Sequence, residues 1–298
     1  MSSIAIVGDA TTTTAMALTS TWPVDADALL VEADPTGGSI AAWLDVPITP
    51  SLSSIVAAVH RTDRADRSEQ PTTISTNTTG SSSPGDSAQL LDSMVRRAAG
   101  GLRFLPCPFT EREAERAVAA SQQILAELIA RPDVDVLVDL GAARPTALPP
   151  MLPEFDAVVV VHRQERSSPR AAAVRLERLT ELIDAVDRAR AIRSDTAITL
   201  AVVGDRPFDP AEIAAHLGPA RVVRLATLAE DPLSAAVLAG RSGISARRLG
   251  RQPLLRSARR FASVLAGPVP RPDVAEGAHA TGPDRPLIRA ADRDEEAS

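Results

Sequence analysis

Short, continuous apolar runs separated by stretches of helical periodicity constrain this chain more than any other feature. They are Ile4–Val7, Ala28–Glu32, Gly101–Leu105, Val134–Asp139, Ala157–Val161, Ile198–Val203 and Arg221–Leu225. Most do not alternate apolar and polar residues, as expected of strands covered on both faces. Alternation of such strands with helices predicts an α/β protein, a three-layer fold with a mostly parallel sheet and helices on both faces. A chain of 298 residues with 44% hydrophobic content can bury the core this requires.

The helices announce their starts. Thr110 with Glu113 forms a capping-box pattern ahead of Ala114, Val118, Leu125 and Leu128. Ser168–Pro169 places a cap and a first-turn proline before Ala172, Leu176, Leu179, Ile183 and Val186. Asp209, Pro210 and Glu212 repeat that arrangement before Ile213 and Leu217.

Two segments carry too little apolar surface to offset their ordering entropy. Residues 61–86 read as a flexible insertion within one domain spanning 1–267, and 268–298 as a disordered, acidic, Pro-rich tail. The opening apolar run is far shorter than the roughly 18 residues of a membrane span, so a cytoplasmic protein without membrane attachment is expected. Cys107 is the single cysteine, which excludes an internal disulfide and a cysteine-cluster metal site. His60, His162, His216 and His279 show no metal-ligand spacing, and no metal site is expected. His162 falls just past a predicted buried strand, on the side where ligands bind. Aromatic content of 2% with no tyrosine argues against stacking platforms for single-stranded nucleic acid.

Three positions carry candidate chemistry. The first strand runs into Gly8-Asp9-Ala10-Thr11-Thr12-Thr13-Thr14 and then a helix, the junction at which backbone amides and a helix dipole can face an anion. The second strand ends in Glu32 and Asp34, two carboxylates that leave the sheet edge together and suit Mg²⁺ or water positioning. Asp139 closes the run Val134–Val138, the Walker-B arrangement in which an acid holds Mg²⁺ through water.

In this order the motifs resemble the ParA/MinD group of P-loop ATPases. Leu30–Gly38 is similar to that family's LVDxDPQGG segment, and Val136–Gly141 to its Walker B. His162–Arg170 is similar to its TxPExxSxR segment, with Glu165, Ser168 and Arg170 at matching places. Ala229-Glu230-Asp231-Pro232 resembles the loop that packs near the base. The resemblance spans Ser2 to Ala266 and implies a P-loop NTPase-like fold.

The departure lies in the phosphate loop. The family places two lysines there, whereas this chain has no lysine anywhere. Thr12 or a neighbouring threonine takes the place of the phosphate lysine, the loop is about two residues shorter, and only Gly8 remains of its glycines. Arginine fits poorly in a pocket shaped for an ammonium, and none stands near the loop in the sequence. Loss of such a group removes several kcal/mol of transition-state stabilisation. Hydrolysis by the standard route is therefore expected to be crippled. Weak ATP–Mg²⁺ binding through Thr11–Thr14 stays open beside the plainer reading that these threonines start the first helix.

Between Gly240 and Gly267 there is no acid, while Arg241, Arg247, Arg248, Arg251, Arg256, Arg259 and Arg260 crowd together. Arg256, Arg259 and Arg260 share one helical face, opposite Leu255, Ala258, Ala262 and Leu265. Family members bind DNA without sequence preference through basic C-terminal residues, which makes this stretch a candidate DNA surface. With net charge −6, a solvated face pairing with acids elsewhere is the competing reading.

The expectation is a ParA/MinD-like positioning or partitioning protein acting as a non-hydrolysing scaffold or regulator. Its implied partners are a related ATPase, a partition, pilus or secretion component, or nucleoid DNA. The alternatives are an ATPase that receives its missing cation from a partner and a plain DNA-binding module. The family's nucleotide-sandwich homodimer depends on the signature lysine missing here, so a homodimer is left open.

Overall fold

A computed structural model of the chain describes residues 2–23, 27–68, 92–98, 101–146, 148–191, 196–218, 221–240 and 246–267. Strand β1 (Ser3–Gly8) is buried along its whole length. It pairs in parallel with β5 (Asp135–Asp139) on one side and β6 (Ala157–Arg163) on the other. The full sheet has the order β3-β4-β2-β5-β1-β6-β7-β8, with β2 at Ala28–Glu32, β3 at Arg96–Arg97, β4 at Arg103–Leu105, β7 at Ala197–Val203 and β8 at Arg224–Leu228. Only β3 runs antiparallel, against β4.

Residues alternate between the two faces of each strand, and both faces are covered. Ala5, Val7, Val158 and Val160 pack with α3 (Leu52–Ser68), α4 (Glu111–Ala120), α5 (Gln122–Ile129), α6 (Pro169–Arg190) and α7 (Pro210–Leu217). Ile4, Ile6, Val159 and Val161 pack with α1 (Thr11–Ser20), α2 (Ile40–Trp43), α8 (Pro232–Leu238) and α10 (Pro253–Leu265). A short helix, α9 (Ala246–Leu249), precedes α10. At the N-terminal edge, buried Asp135 accepts hydrogen bonds from the Ser2 amide and, at 2.8 Å, from the Trp22 indole.

The predicted caps form at α6, where Ser168 accepts from the Ala171 amide, and at α7, where Asp209 and Glu212 make a capping box. At Thr110 the hydroxyl instead donates to Glu113 at 3.0 Å, and no side-chain cap is made. The helix that follows is divided at Ser121 into α4 and α5, where the Ser121 hydroxyl bonds the Val118 carbonyl.

Several boundaries differ from the sequence reading. Strand β8 is shifted three residues, because its parallel register with β7 sets Thr199 opposite Arg224. The run Arg221–Leu228 is apolar enough that pairing rather than composition decides where the strand starts. His162 lies inside β6 rather than past it. Helix α3 continues through residues 61–68, the first part of the expected insertion, since a helix nucleated on buried Leu52 and Ile55 extends readily through residues of adequate propensity. The remainder of that insertion, and the tail 268–298, lie outside the described residues. The two-residue strand β3 carries no periodicity and has no counterpart in the sequence reading.

Gly8 allows β1 to leave the sheet. Its φ is +112°, and a Cβ there would stand 2.3 Å from the Val161 carbonyl oxygen of the neighbouring strand. Gly8→Ala should therefore destabilise the fold by roughly 2–4 kcal/mol, read as a shift of the urea midpoint. A midpoint equal to the parent's would show that the turn relaxes freely.

Candidate functional site

The sheet order reverses direction at β1, between β5 and β6, so the crevice beyond the carboxyl ends of these strands is where an open α/β sheet collects ligands. Gly8 ends β1 and Asp9 follows it, Glu32 ends β2 with Asp34 two residues on, Asp139 ends β5 with Gly141 two residues on, and His162 is the last residue but one of β6. The motifs singled out in the first two-thirds of the chain thus meet at one edge.

The turn from β1 to α1 is very short. The Gly8 amide donates to the Gly141 carbonyl at 3.2 Å and the Asp9 amide to the Val161 carbonyl at 2.8 Å, leaving only Asp9 and Ala10 before the helix. Ala10 takes a left-handed conformation (φ 52°, ψ 34°) and makes no side-chain cap. The first intrahelical bond runs from the Thr14 amide to the Ala10 carbonyl, so the Thr11, Thr12 and Thr13 amides precede it. Thr11 and Thr14 are buried, while Thr12 and Thr13 are half-buried.

The three carboxylates do different work. Glu32 is 1% exposed and faces inward. Its Oε1 accepts from the Ser39 amide at 2.6 Å and the Ile40 amide at 3.0 Å, and its Oε2 from the Cys107 amide at 3.1 Å. It therefore ties the β2–α2 loop to the loop after β4. Burial lifts its pKa to about 7 against the pull of those three amides, with nearby Asp139 adding to the rise. Asp34 makes a local turn, accepting from the Thr36 amide and hydroxyl at 2.8 and 2.7 Å. Its carboxylate lies against Gly141, where a Cβ would approach it to 2.1 Å. Asp139 is fully buried and its Oδ1 accepts from the Gly141 amide at 3.0 Å. Its Oδ2 has no hydrogen-bond partner. Burial raises its pKa to about 6, while the hydroxyls of Thr12 and Thr11, close by without completing a bond to Oδ2, favour the ionised form. The Cys107 thiol is buried beneath this group, and burial followed by the charges of Glu32 and Asp34 pushes its pKa up, which makes it unreactive.

An arginine does reach the loop, contrary to the reading of the sequence. Arg175, from α6, places Nη1 3.3 Å from Asp9 Oδ2 and Nε 3.5 Å from Glu165 Oε2. The Nδ1 atom of His162, itself 4% exposed, is 4.0 Å from the same Asp9 oxygen. Burial lowers the His162 pKa, partly offset by Asp9, so the ring is neutral near pH 7. Of the remaining motif residues here, Glu165 accepts from the Ser167 amide, Ser168 caps α6, and Arg170 is exposed. Sequence reasoning missed Arg175 because the contact joins residues 166 positions apart. The only available signal was its place in the first turns of the helix that follows β6.

A magnesium-bound triphosphate, which the resemblance implies, would meet an acid, Asp9, at this turn. A phosphate charge about 4 Å from the Asp9 carboxylate is opposed by roughly 1–4 kcal/mol between the bulk-water and near-surface limits. Among the described residues the cation that contacts the turn, Arg175, is already paired with Asp9 and Glu165. Among the described residues no group of three His, Cys, Asp or Glu side chains is arranged to hold a metal.

A second feature lies beyond the ends of β7 and β8. Glu230 receives Arg163 at 2.9 Å and Arg166 at 3.3 Å. Asp231 caps α8, accepting from the Ser234 amide at 3.1 Å. A cavity of about 420 Å³ opens beside them, lined among others by Arg166, Glu230, Arg256, Ser257 and Arg260. The base-side loop and part of the arginine stretch, which the sequence presents as separate features, are thus neighbours. Arg248, Arg251, Arg256, Arg259 and Arg260 are exposed and carry no ion pair among the described residues. Arg241 and the Arg247 side chain lie outside the described residues. No helix among the described residues is long and apolar enough to cross a membrane.

No family model matches the chain, and no curated protein does. Solved structures do. A ParA family ATPase from Chlorobium tepidum matches with a TM-score of 0.56 at 15% identity, over 88% of this chain and 97% of that one. MinD from Pyrococcus horikoshii complexed with Mg-ADP matches with a TM-score of 0.53 at 13% identity, over 89% and 96%. The MinC:MinD complex of Aquifex aeolicus matches with a TM-score of 0.51 at 13% identity, over 91% and 98%. The chain therefore has the P-loop NTPase-like fold of ParA and MinD structures.

Glu32 and Asp139 give stability a defined pH dependence. Both folded values stand above their ordinary values of 4.5 and 3.8. The folded protein then holds protons the unfolded chain has released, so the contribution is complete below about pH 4 and is lost as pH rises through about 7. The stability difference between the parent and Glu32→Gln should accordingly fall by roughly 2–3 kcal/mol from about pH 4.5 to about pH 8. Urea melts across that range measure it, and a constant difference would show that Glu32 titrates normally.

Proposed function

We propose that this chain is a ParA/MinD-like positioning or partitioning protein that works as a non-hydrolysing scaffold or regulator in the cytoplasm. The observation that carries the reading is the β1–α1 turn. Two residues long and without lysine, it presents an acid, Asp9, where the resemblance implies a cation-lined phosphate cradle. Stabilisation of charge supplies most of the catalysis in phosphoryl transfer, and this turn offers the transferring group hydroxyls, amides and one guanidinium, Arg175, already paired with Asp9 and Glu165. Nucleotide, on this reading, is held weakly through Thr11–Thr14 or not at all. Glu32 serves as an internal tie, and Asp139 keeps a buried carboxylate oxygen without a hydrogen-bond partner.

The partner implied is another protein: a related ATPase, or a component of a partition, pilus or secretion machine. The existence of a MinC:MinD complex on this fold supports a protein-facing role. A DNA-facing role has its own observation, since Arg248, Arg251, Arg256, Arg259 and Arg260 are all exposed in a stretch with no acid between residues 240 and 267. Phosphate contacts by such a patch would be sequence-independent and strongly salt-dependent.

Calorimetric titration with Mg-ATP, followed by a phosphate-release assay with and without DNA, tests the reading. The expected outcome is no release above the buffer background under any condition. Release by the chain alone would overturn it, and release only on adding a partner protein would favour an ATPase completed in trans. Any DNA binding should weaken by at least about ten-fold between 50 and 200 mM salt, as read by fluorescence anisotropy of a labelled duplex. Affinity unchanged across that range would remove the arginine patch from the account.

A further inference from the structure

The outer face of α10 carries three guanidinium groups that nothing in the described part of the molecule neutralises. Arg256, Arg259 and Arg260 are exposed and make no ion pair or side-chain hydrogen bond among the described residues. The helix cannot turn them inward, because Leu254, Leu255, Ala258, Phe261, Ala262 and Leu265 are buried on its other side. We infer that this face is the docking surface for the acidic end of the same chain, residues 292–296, which covers Arg256, Arg259 and Arg260 and competes for them with other polyanions. The inference rests neither on the β1–α1 turn nor on the loss of hydrolysis.

The surface is a groove rather than a flat stripe. Arg256 and Arg260 line the cavity of about 420 Å³ beside Glu230, and with Arg259 they line a second one of about 360 Å³. The acids of the first cavity are already engaged, Asp205 by Arg166 and Glu230 by both Arg163 and Arg166. No acid lies between residues 240 and 267 to neutralise the arginines from their own segment. The groove thus keeps uncompensated positive charge.

The sequence after Gly267 holds the complement. Four of the five residues 292–296 are acids, Asp292, Asp294, Glu295 and Glu296, and no other five-residue window of the chain has more than three. Asp292 comes 25 residues after Gly267, the last described residue beyond α10. A coil of that length spans roughly 25–30 Å. Arg260 and Arg256 stand roughly 10 and 16 Å back along the helix from Gly267, well inside that reach. Tethering therefore presents the acids to the groove at an effective concentration in the millimolar range. Exposed guanidinium–carboxylate pairs are individually weak and screened by salt. A tethered set of them makes a dock that a denser polyanion can displace.

The lysine-free sequence makes a specific test possible. In the full chain, Arg260→Lys keeps the charge and puts the one side-chain amine of the protein on the groove. A carbodiimide then joins that amine to whichever carboxylate it pairs with, and peptide mapping by mass spectrometry identifies the link. In the monomer at 50 mM salt, the link should fall on residues 292–296, with a yield that drops at least about five-fold at 500 mM. Arg112→Lys places the amine on exposed α4, across the sheet, and its link to 292–296 should be at least about ten-fold rarer. Arg256→Lys serves in the same way if Arg260→Lys fails to fold, as judged by circular dichroism. Neutralising the end of the chain (Asp292→Asn, Asp294→Asn, Glu295→Gln and Glu296→Gln together) should tighten binding of inorganic polyphosphate at least about five-fold at low salt. Equal links from the groove and from α4, no link in a folded groove variant, links only between two chains, or unchanged polyphosphate affinity would overturn the inference. The scaffold reading is tested by turnover of the parent, so either can fail alone.

Discussion

The close approach of Gly8 to the Val161 carbonyl is the contact on which the arrangement of this molecule depends. Because no side chain intervenes, β1 can sit between β5 and β6 up to its last residue and then turn into α1 within two residues. That abrupt exit places α1 against the centre of the sheet, where most of its side chains are buried and α10 covers it. It also leaves only Asp9 and Ala10 between the strand and the helix. One steric allowance thus sets both the packing of the central helix and the chemistry of the crevice in front of it.

Around that turn most of the charged groups are held by partners within the chain. Glu32 spends its oxygens on the amides of Ser39, Ile40 and Cys107, Asp34 closes a turn on Thr36, and Asp9 engages Arg175. Buried or half-buried acids with such partners are structural ties first. Asp139 differs, because one of its oxygens is buried without a partner, and unsatisfied buried acceptors are costly enough to need a reason. Among the described residues the crevice therefore combines a hydrogen-bonded rim with an unsatisfied buried acceptor, Asp139 Oδ2, at its base.

Much of the fold was legible in the sequence because parallel strands buried on both faces must be apolar throughout. The runs at β1, β2 and β5 were recognisable for that reason. The edge of the sheet was less so. In β8 the exposures of Arg224, Leu225, Ala226 and Thr227 vary from residue to residue, and only pairing with β7 sets the start. At the site, Gly8, Glu32, Asp34 and Asp139 could be placed together from strand ends alone. What their side chains contact could not, since Glu32 was equally compatible with facing the crevice or the core. Arg175 was illegible for a related reason: a contact across 166 residues leaves no local pattern.

The bond from the Trp22 indole to Asp135 has a practical consequence. The chain has no tyrosine and two tryptophans, and both Trp22 and Trp43 belong to the apolar layer shared by α1, α2 and α10. Intrinsic fluorescence therefore samples one side of the sheet only. Loosening of α3 through α7 on the opposite side would pass without an emission signal, so emission and backbone dichroism need not trace the same transition.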